Sequence, residues 1–254
     1  MGWKSEWQRS IDDPEGFWMD QARTIEWDRA PSRALHDLGG PVPEWYADGL
    51  VNTCWNAVDR HVVAGHGDRL AVIYDSPVTG IVKRITYAAL QDRVARLAGA
   101  LTAGSCGIEP GRIVPYKPLL DAAIAQATHK PEFCVILQRE QGLADMTPRD
   151  TDWEDFIEAD PVECVPVAGN HPAYILYTSG TTGAPKGVVR ATGGHLVALD
   201  WSMANIYGVA PGEVFWAASD VGWVVGHSYI CYAPLIHGAT TIVFEGKRVD
   251  DGRA

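Results

Sequence analysis

The sequence has few basic residues relative to its acidic ones. Its 21 lysines and arginines stand against 32 aspartates and glutamates, which gives a formal net charge of −11. Nucleic-acid binding rests largely on basic side chains that contact phosphates, so this balance excludes nucleic acid as the expected partner. The sequence also has no run of about 18 apolar residues, so it predicts no transmembrane helix and no membrane partner.

The first residues lack the features of a targeting segment. Residues 1–7 do not show the charged-then-apolar order of a secretory signal, and they include an acid, which mitochondrial transit peptides avoid. We therefore expect a cytoplasmic protein, with the mitochondrial matrix as the alternative location.

Cysteine is scarce and dispersed. The five cysteines are an odd number, and they are Cys54, Cys106, Cys134, Cys164 and Cys231. No two of them have the close spacing of a zinc-binding pair, and a disulfide framework would be denser. We predict reduced thiols and no metal site, and no surrounding pattern supports a catalytic cysteine.

The length of 254 residues predicts one large domain or two small ones, and apolar residues make up 46% of the chain, as in ordinary globular proteins. Strand patterns occur at 70–75, 82–87, 133–137, 173–177, 214–218 and 240–244. Helical spacing of apolar residues occurs at 87–101, 119–127 and 195–207. Composition predicts a loop at 102–112 and a solvated surface segment at 140–158. The alternation of strands and helices predicts an α/β fold.

The first 60 residues are rich in tryptophan. They hold six of the ten tryptophans, namely Trp3, Trp7, Trp18, Trp27, Trp45 and Trp55. Asp13-Pro14-Glu15-Gly16 is a signal for a turn or a helix start, and the glycines and prolines of 39–43 predict a loop. Such a segment cannot form its own core. We expect it to wrap over a larger body, with the tryptophans as anchors.

The sharpest motif is Tyr177-Thr-Ser-Gly-Thr-Thr-Gly-Ala-Pro-Lys-Gly187, which follows an apolar strand pattern. Its glycines allow backbone N–H groups to approach an anion closely, and successive N–H groups form an anion-binding concavity. The four hydroxyls add donors, and Lys186 adds a point charge. The order of residues differs from the Walker loop, because the motif lacks the Gly-Lys-Ser/Thr ending. This motif predicts a polyphosphate-binding loop.

This loop resembles the phosphate-binding signature of the adenylate-forming superfamily. Its flanks are similar to the acetyl- and propionyl-CoA synthetase branch of that superfamily, at 13–18, 52–61, 218–229, 232–235 and 238–241. Residues 107–118 closely resemble propionyl-CoA synthetases, and the similarity touches most of the chain from Asp13 to Gly246. The resemblance implies an incomplete N-terminal portion of the adenylate-forming large domain.

The resemblance also implies a two-step ligase reaction. A short carboxylate attacks the α-phosphorus of ATP to give an acyl-adenylate and pyrophosphate, and coenzyme A then displaces AMP to give a thioester. The implied cofactors and substrates are ATP, Mg²⁺, coenzyme A and propionate, with acetate or butyrate as alternatives.

Site residues follow from the same resemblance. The implied phosphate-binding residues are Thr178, Ser179, Gly180, Thr181, Thr182, Gly183 and Lys186. The implied acyl wall consists of Trp223, Val224 and Val225, and Arg112 matches an arginine that binds the coenzyme A nucleotide. Acetate enzymes of the branch typically carry threonine at the position of Val225, so valine favours a longer alkyl tail there.

The chain departs from the family pattern at two places. By this resemblance, a whole α/β block of relatives is absent near 102–105, and the chain ends at Ala254, whereas relatives continue for more than this length again. We expect an N-terminal segment at 1–61, a partial AMP-binding domain at 62–254, and no C-terminal domain. The family's catalytic lysine then lies beyond the chain end, so the catalytic residue is unknown.

Loss of central strands should expose sheet edges and leave a strand such as 133–137 without partners. Three interpretations follow: a propionyl-CoA synthetase-like ligase, a non-catalytic nucleotide-binding fragment, or an interaction protein that pairs with a full-length homologue through its exposed sheet. The oligomeric state is open.

Overall fold

A computed structural model of the chain describes residues 3–97, 102–109, 112–158, 160–178 and 185–246. The α-helices within these ranges are α1 Trp3–Asp12, α2 Pro14–Gln21, α3 Tyr87–Leu97, α4 Lys117–Gln126, α5 Trp153–Phe156, α6 Thr192–Asn205, α7 Val224–Gly226 and α8 Ala233–Ile236. A 3₁₀ turn spans Ala22–Thr24, and π-helical turns span Trp55–Asp59, Val62–His66 and His227–Tyr232.

The strands are β1 Leu35–His36, β2 Glu44–Trp45, β3 Leu50–Val51, β4 Leu70–Ser76, β5 Ile81–Thr86, β6 Thr102–Gly104, β7 Cys106–Glu109, β8 Arg112–Pro115, β9 Cys134–Leu137, β10 Asp150–Asp152, β11 Val167–Ala168, β12 Pro172–Thr178, β13 Lys186–Ala191, β14 Val214–Phe215 and β15 Thr240–Phe244. The mixture of helices and strands confirms the α/β class.

The chain divides into two compact units. Unit 1 comprises Met1–Val72, Ile85–Ala88 and Cys164–Ile242, and unit 2 comprises Ile73–Arg84, Ala89–Glu163 and Val243–Ala254.

A four-stranded sheet has the order β14-β15-β4-β5, in which β14 runs parallel to β15. The expected strand at 214–218 is therefore shorter, because its pairing ends at Phe215.

The N-terminal segment begins unit 1 with two helices. The Asp13 side chain caps α2 by accepting a hydrogen bond from the Gly16 backbone N–H at 2.9 Å, and Pro14 occupies the first turn. An N-cap carboxylate accepts a hydrogen bond from a first-turn N–H group that has no partner within the helix. Proline suits the first turn because its missing N–H would also have had no partner there. The helix start predicted at Asp13-Pro14 is confirmed.

The tryptophans of this segment differ in their surroundings. Trp18 packs edge-on against both Trp45 and Trp201, with ring centroids 5.8 Å apart in each pair. Trp3 and Trp7 on α1 are 73% and 58% exposed, and α1 buries none of its residues. The anchoring role is therefore wrong for these two tryptophans, because no other described element covers their face of α1.

Helix α6 forms the centre of unit 1. Leu196, Val197 and Met203 are buried to 1% exposure or less, so the helix is surrounded by packed side chains rather than lying on the surface. A helix with apolar residues on several faces is typical of such a position. The helix predicted at 195–207 is confirmed, with its start three residues earlier.

Unit 2 contains a parallel sheet of order β10-β9-β6. Cys134, Val135 and Ile136 of β9 are fully buried, and Ile124 of α4 packs against this strand. The expectation that 133–137 lacks partners is wrong, because β6 and β10 pair with β9 on its two sides. Phe133 is 41% exposed and lies before the strand.

Two segments predicted to be irregular are ordered in unit 2. The expected loop at 102–112 contributes β6 and the antiparallel hairpin β7–β8, in which Cys106 lies opposite Pro115. Within the expected solvated segment at 140–158, the Asp150 side chain is 1% exposed and pairs with buried Lys117 at 2.9 Å. Both corrections have one cause: each segment gains its order from a partner distant in the sequence.

Glu245 joins three partners of unit 2. Arg139 Nη1 donates to its carboxylate at 2.6 Å, Ser76 Oγ donates at 2.8 Å, and Tyr74 Oη donates as well. Burial by itself raises the pKa of Glu245, but the hydrogen bonds from these side chains lower it to about 2. A lowered pKa in the folded state stabilises the protein above the ordinary carboxyl pKa of 4.5, and this stabilisation is lost as pH falls towards 2.

We predict that Glu245→Gln lowers the free energy of unfolding at pH 7 by roughly 2–3 kcal/mol, because a neutral amide cannot pair with the guanidinium. The difference from the unsubstituted chain should shrink between pH 4.5 and 2. Urea unfolding at several pH values measures this, with exposed Glu132→Gln as the matched control. An equal difference at pH 7 and at pH 2 would contradict the assigned pairing.

Candidate functional site

The β12–β13 hairpin holds the two ends of the predicted phosphate loop. In its antiparallel register Tyr177 lies opposite Gly187, and Thr178 lies opposite Lys186. The motif is predicted from the sequence to be a loop from end to end, and this is wrong at Thr178, Lys186 and Gly187, because strand pairing continues to these residues. Five of the predicted phosphate-binding residues lie outside the described part of the chain, and they are Ser179, Gly180, Thr181, Thr182 and Gly183.

This register fixes where the motif begins and ends. The described residues on its two sides, Thr178 and Lys186, face each other across the strand pair. Lys186 is exposed at the start of β13, where its ammonium is accessible to an anion. A sequence rich in glycine and hydroxyls beside an exposed lysine has the donor set that a polyphosphate requires.

The predicted acyl wall lies at the start of the short helix α7 in unit 1. Trp223 precedes α7, and its backbone N–H donates to the Asp220 carbonyl at 3.1 Å. Gly226 packs so closely on that carbonyl that a side chain at this position would overlap it. Trp223 and Val225 are 61% and 55% exposed, whereas Val224 is half-buried. The described residues thus present an open apolar surface rather than an enclosed pocket.

Arg112 begins β8 and lies opposite Glu109 in the β7–β8 hairpin. It belongs to unit 2, whereas Thr178, Lys186 and the Trp223–Val225 stretch belong to unit 1. The structure therefore places Thr178 opposite Lys186. It holds the three acyl-wall residues next to one another at α7, and it places Arg112 in the other unit.

Unit 1 contains a cavity of about 350 Å³ that the motifs did not predict. Trp18, Trp45, Arg190 and His195 are among its lining residues, and Arg190 Nε has no hydrogen-bond partner among the described atoms. Burial lowers the pKa of His195 to about 4, and the Arg190 charge acts in the same direction, so the imidazole is neutral at pH 7. The only sequence signal for this cavity is the tryptophan-rich N-terminal segment.

A second unpredicted feature of unit 1 is a cluster of two thiols and a carboxylate. The Sγ atoms of Cys54 and Cys164 both donate to Asp59 Oδ2, at 3.6 and 3.4 Å. Burial, together with the nearby negative groups, raises the pKa of Cys54 to about 12 and that of Cys164 to about 11. All five cysteines are free. The spacing of the cysteines in the sequence does not indicate this cluster, because chain folding brings together cysteines that are distant in the sequence.

No helix within the described ranges combines the length and the apolar character needed to cross a bilayer.

Comparison with known proteins gives two matches to family models. The model of AMP-binding enzymes matches residues 117–254, and the model of the acetyl-coenzyme A synthetase N-terminus matches residues 3–57. The first match covers more than half of the chain and includes the whole predicted phosphate loop.

Similar proteins extend over nearly all of the chain. It is 41% identical to acyl-CoA synthetase short-chain family member 3, mitochondrial, of Rattus norvegicus, over 97% of this chain and 45% of that protein. It is 37% identical to the propionate–CoA ligase of Salmonella typhimurium, over 97% of this chain and 49% of that protein. The chain therefore spans about half the length of the curated relatives it matches.

A solved structure shows the same fold. Acetoacetyl-CoA synthetase from Streptomyces lividans superposes with a TM-score of 0.85 at 18% identity, and the match covers 99% of this chain and 47% of that one.

The alignment with the Rattus norvegicus protein has a length of 309 residues, although this chain has only 254. That relative consequently contains residues, within the aligned region, for which this chain has no counterpart.

Proposed function

The chain belongs to the AMP-binding enzyme family, and from this premise we propose that it is the N-terminal part of a short-chain acyl-CoA synthetase that uses propionate, ATP and coenzyme A. Its fold is an incomplete N-terminal portion of the adenylate-forming large domain. The observation that carries the proposal is that Thr178 and Lys186, which flank a sequence rich in glycines and hydroxyls, lie opposite each other in one strand pair. The likeness to a propionate–CoA ligase supports the choice of substrate.

In the proposed first step, a carboxylate oxygen attacks the α-phosphorus of ATP, and the bond to pyrophosphate breaks. Negative charge then accumulates on the leaving pyrophosphate. The backbone N–H groups and hydroxyls of residues 178–183 would hold the β and γ phosphates, and the Lys186 ammonium would balance their charge. Mg²⁺, which arrives with the nucleotide, supplies further charge neutralisation there.

In the proposed second step, the coenzyme A sulfur attacks the acyl carbon, the bond to AMP breaks, and the thiol proton leaves. Arg112 is the residue that we assign to the coenzyme A nucleotide, because a guanidinium pairs well with phosphate oxygens. No described residue is assigned as the catalytic group of this step.

The domain organisation is part of the proposal. We assign 1–61 as the acyl-CoA synthetase N-terminal segment and 62–254 as a partial AMP-binding domain that lacks a block near 102–105. The match of the N-terminal family model to 3–57 and the 309-residue alignment length support this assignment. A cytoplasmic location remains our expectation, with the mitochondrial matrix as the alternative, because several relatives are named mitochondrial.

The alternatives are a non-catalytic nucleotide-binding fragment, which is the second candidate function, and an interaction protein that pairs with a full-length homologue. Within the described residues, β12 and β13 pair only with each other. Their side chains Ile175, Tyr177 and Val189 are 54%, 70% and 56% exposed. A two-stranded sheet is only marginally stable by itself, and its exposed apolar side chains favour contact with further strands that would cover them.

The test of the proposed function uses a longer chain, here termed the completed enzyme. It is this sequence with the block near 102–105 and the C-terminal half supplied from the Salmonella typhimurium relative. Incubated with propionate, ATP, Mg²⁺ and coenzyme A, the completed enzyme should form propionyl-CoA and AMP in equal amounts. Formation of ADP, or AMP release that does not require propionate, would contradict the proposed ligase reaction.

Val225 provides a test of the acyl wall. We predict that Val225→Thr in the completed enzyme shifts the ratio of kcat/KM values towards acetate by less than about tenfold. The hydroxyl makes the wall more polar while the volume barely changes, and a buried methylene contributes only about 0.8 kcal/mol.

Competition between propionate and acetate measures this ratio directly, and Val221→Thr is the matched control, because Val221 is also exposed and lies four residues earlier. A ratio that stays fixed in Val225→Thr would show that Val225 does not contact the acyl tail.

A further inference from the structure

The cluster of Cys54, Asp59 and Cys164 has the composition and spacing of a cation site. One ligand atom from each residue lies within 4.8 Å of the other two, and all three side chains are partly accessible. Both thiols converge on a single oxygen, Asp59 Oδ2. The cluster takes no part in the proposed ligase reaction, so the inference is independent of that proposal.

A π-helical turn places Cys54 and Asp59 on the same side. The turn spans Trp55–Asp59, and the Arg60 backbone N–H reaches back to the Trp55 carbonyl, five residues earlier. In an α-helix, residues five apart point about 140° away from each other. The wider π turn brings such residues together, and turns of this type occur frequently at functional sites.

Strand pairing brings Cys164 to this turn. Strand β11 pairs with β3, with Val167 opposite Val51, and the Asn52 side chain donates to the Val165 carbonyl at 2.7 Å. Cys164 therefore lies one residue from an anchored backbone position, and Cys54 lies two residues after Asn52. The two thiols are held by backbone contacts on both sides of the cluster rather than by their own hydrogen bonds alone.

The distances match those of a tetrahedral ion. A zinc ion bound to sulfur at about 2.3 Å and to oxygen at about 2.0 Å requires sulfur and oxygen to be about 3.5 Å apart. The two sulfur-to-Oδ2 distances are 3.6 and 3.4 Å. We propose that Cys54, Asp59 and Cys164 together bind one thiophilic divalent cation of the zinc type.

The donor set decides which cations bind. Two thiolates favour soft or borderline ions such as Zn²⁺, whereas Mg²⁺ requires oxygen ligands, so this is not the ion that accompanies ATP. Binding breaks the two S–H bonds, forms two metal–sulfur bonds, and releases two protons to the solvent. With three protein ligands, the fourth tetrahedral position is open to water, and the ion is exchangeable.

A disulfide between the two cysteines is the competing chemistry. Cys54 and Cys164 are both free, and each thiol donates to Asp59 Oδ2 instead of being joined to the other in a disulfide. A divalent cation is attracted by this carboxylate, whereas a disulfide gains nothing from it.

The direct test is a titration of the reduced, chelator-treated 254-residue chain with Co²⁺. We expect a sulfur-to-cobalt charge-transfer band that saturates at one Co²⁺ per chain and disappears when Zn²⁺ is added. Cys54→Ser and Cys164→Ser should each weaken binding by at least about 100-fold, because loss of a ligand costs more than loss of an outer-shell partner. Cys231→Ser, a half-buried cysteine of the same unit, is the matched control and should leave binding unchanged.

A second measurement needs no substitution. With Zn²⁺ present, alkylation of the unsubstituted chain followed by mass spectrometry should find Cys54 and Cys164 protected relative to a zinc-free sample. The absence of the charge-transfer band, its persistence at equal affinity in the two serine variants, or protection of a different pair of cysteines would each overturn the proposal. A disulfide in place of metal binding after full reduction and reoxidation would overturn it as well.

Discussion

The 254-residue chain by itself is expected to release AMP at less than about one-thousandth of the rate of the completed enzyme. Loss of one charge-stabilising donor can lower kcat by about 10²–10³. Because these 254 residues span only about half the length of their relatives, the groups that complete the proposed site are absent from the assay. The contacts that would hold the reactants in line for the attack are absent together with these groups.

The measurement is a coupled AMP-release assay with propionate, ATP, Mg²⁺ and coenzyme A. The 254-residue chain and the completed enzyme are assayed at equal concentration, and circular dichroism establishes that each is folded. Turnover of the short chain within tenfold of the completed enzyme would show that these residues already contain the whole site. It would also exclude the non-catalytic fragment as the second candidate function.

Lys186→Ala in the completed enzyme is expected to slow adenylate formation by about 10²–10³-fold. The KM for propionate should change much less than kcat, because the ammonium is proposed to contact the polyphosphate rather than the acyl group. Loss of an interaction that is made with the leaving group only in the transition state lowers kcat and kcat/KM together. Lys186→Arg keeps the positive charge and should recover part of the rate.

Lys83→Ala is the matched control, since Lys83 is also an exposed lysine on a strand. Single-turnover kinetics separate the chemical step from substrate binding. If pyrophosphate formation is unchanged in Lys186→Ala, or equally slowed in Lys83→Ala, Lys186 has no special role in the reaction.

The proposed phosphate loop illustrates which kind of site can be predicted from a sequence. Its glycines, hydroxyls and lysine are contiguous, so their chemistry is evident without knowledge of the fold, and the preceding strand is a local apolar run. The structure adds the register, which places Thr178 opposite Lys186 and extends the strands into both ends of the motif. Register depends on pairing across the hairpin, and composition carries no information about it.

The cysteine cluster illustrates what the sequence does not predict. Asp59 and Cys164 are 105 residues apart, and their contact depends on a two-residue strand pair and a π turn. The same reason explains the ordered segment after residue 102, whose strand β6 is defined by its partner β9. Long-range pairing is decided by the packing of the whole unit, so short local patterns miss it.

The most direct test of the central claim is pyrophosphate exchange into ATP by the completed enzyme without coenzyme A. If the chain supplies the phosphate-binding part of an adenylate-forming site, exchange must require a carboxylate, should be faster with propionate than with acetate, and should fall in Lys186→Ala. Exchange that proceeds equally without any carboxylate, or that is absent although the protein is folded and binds ATP, would contradict this account.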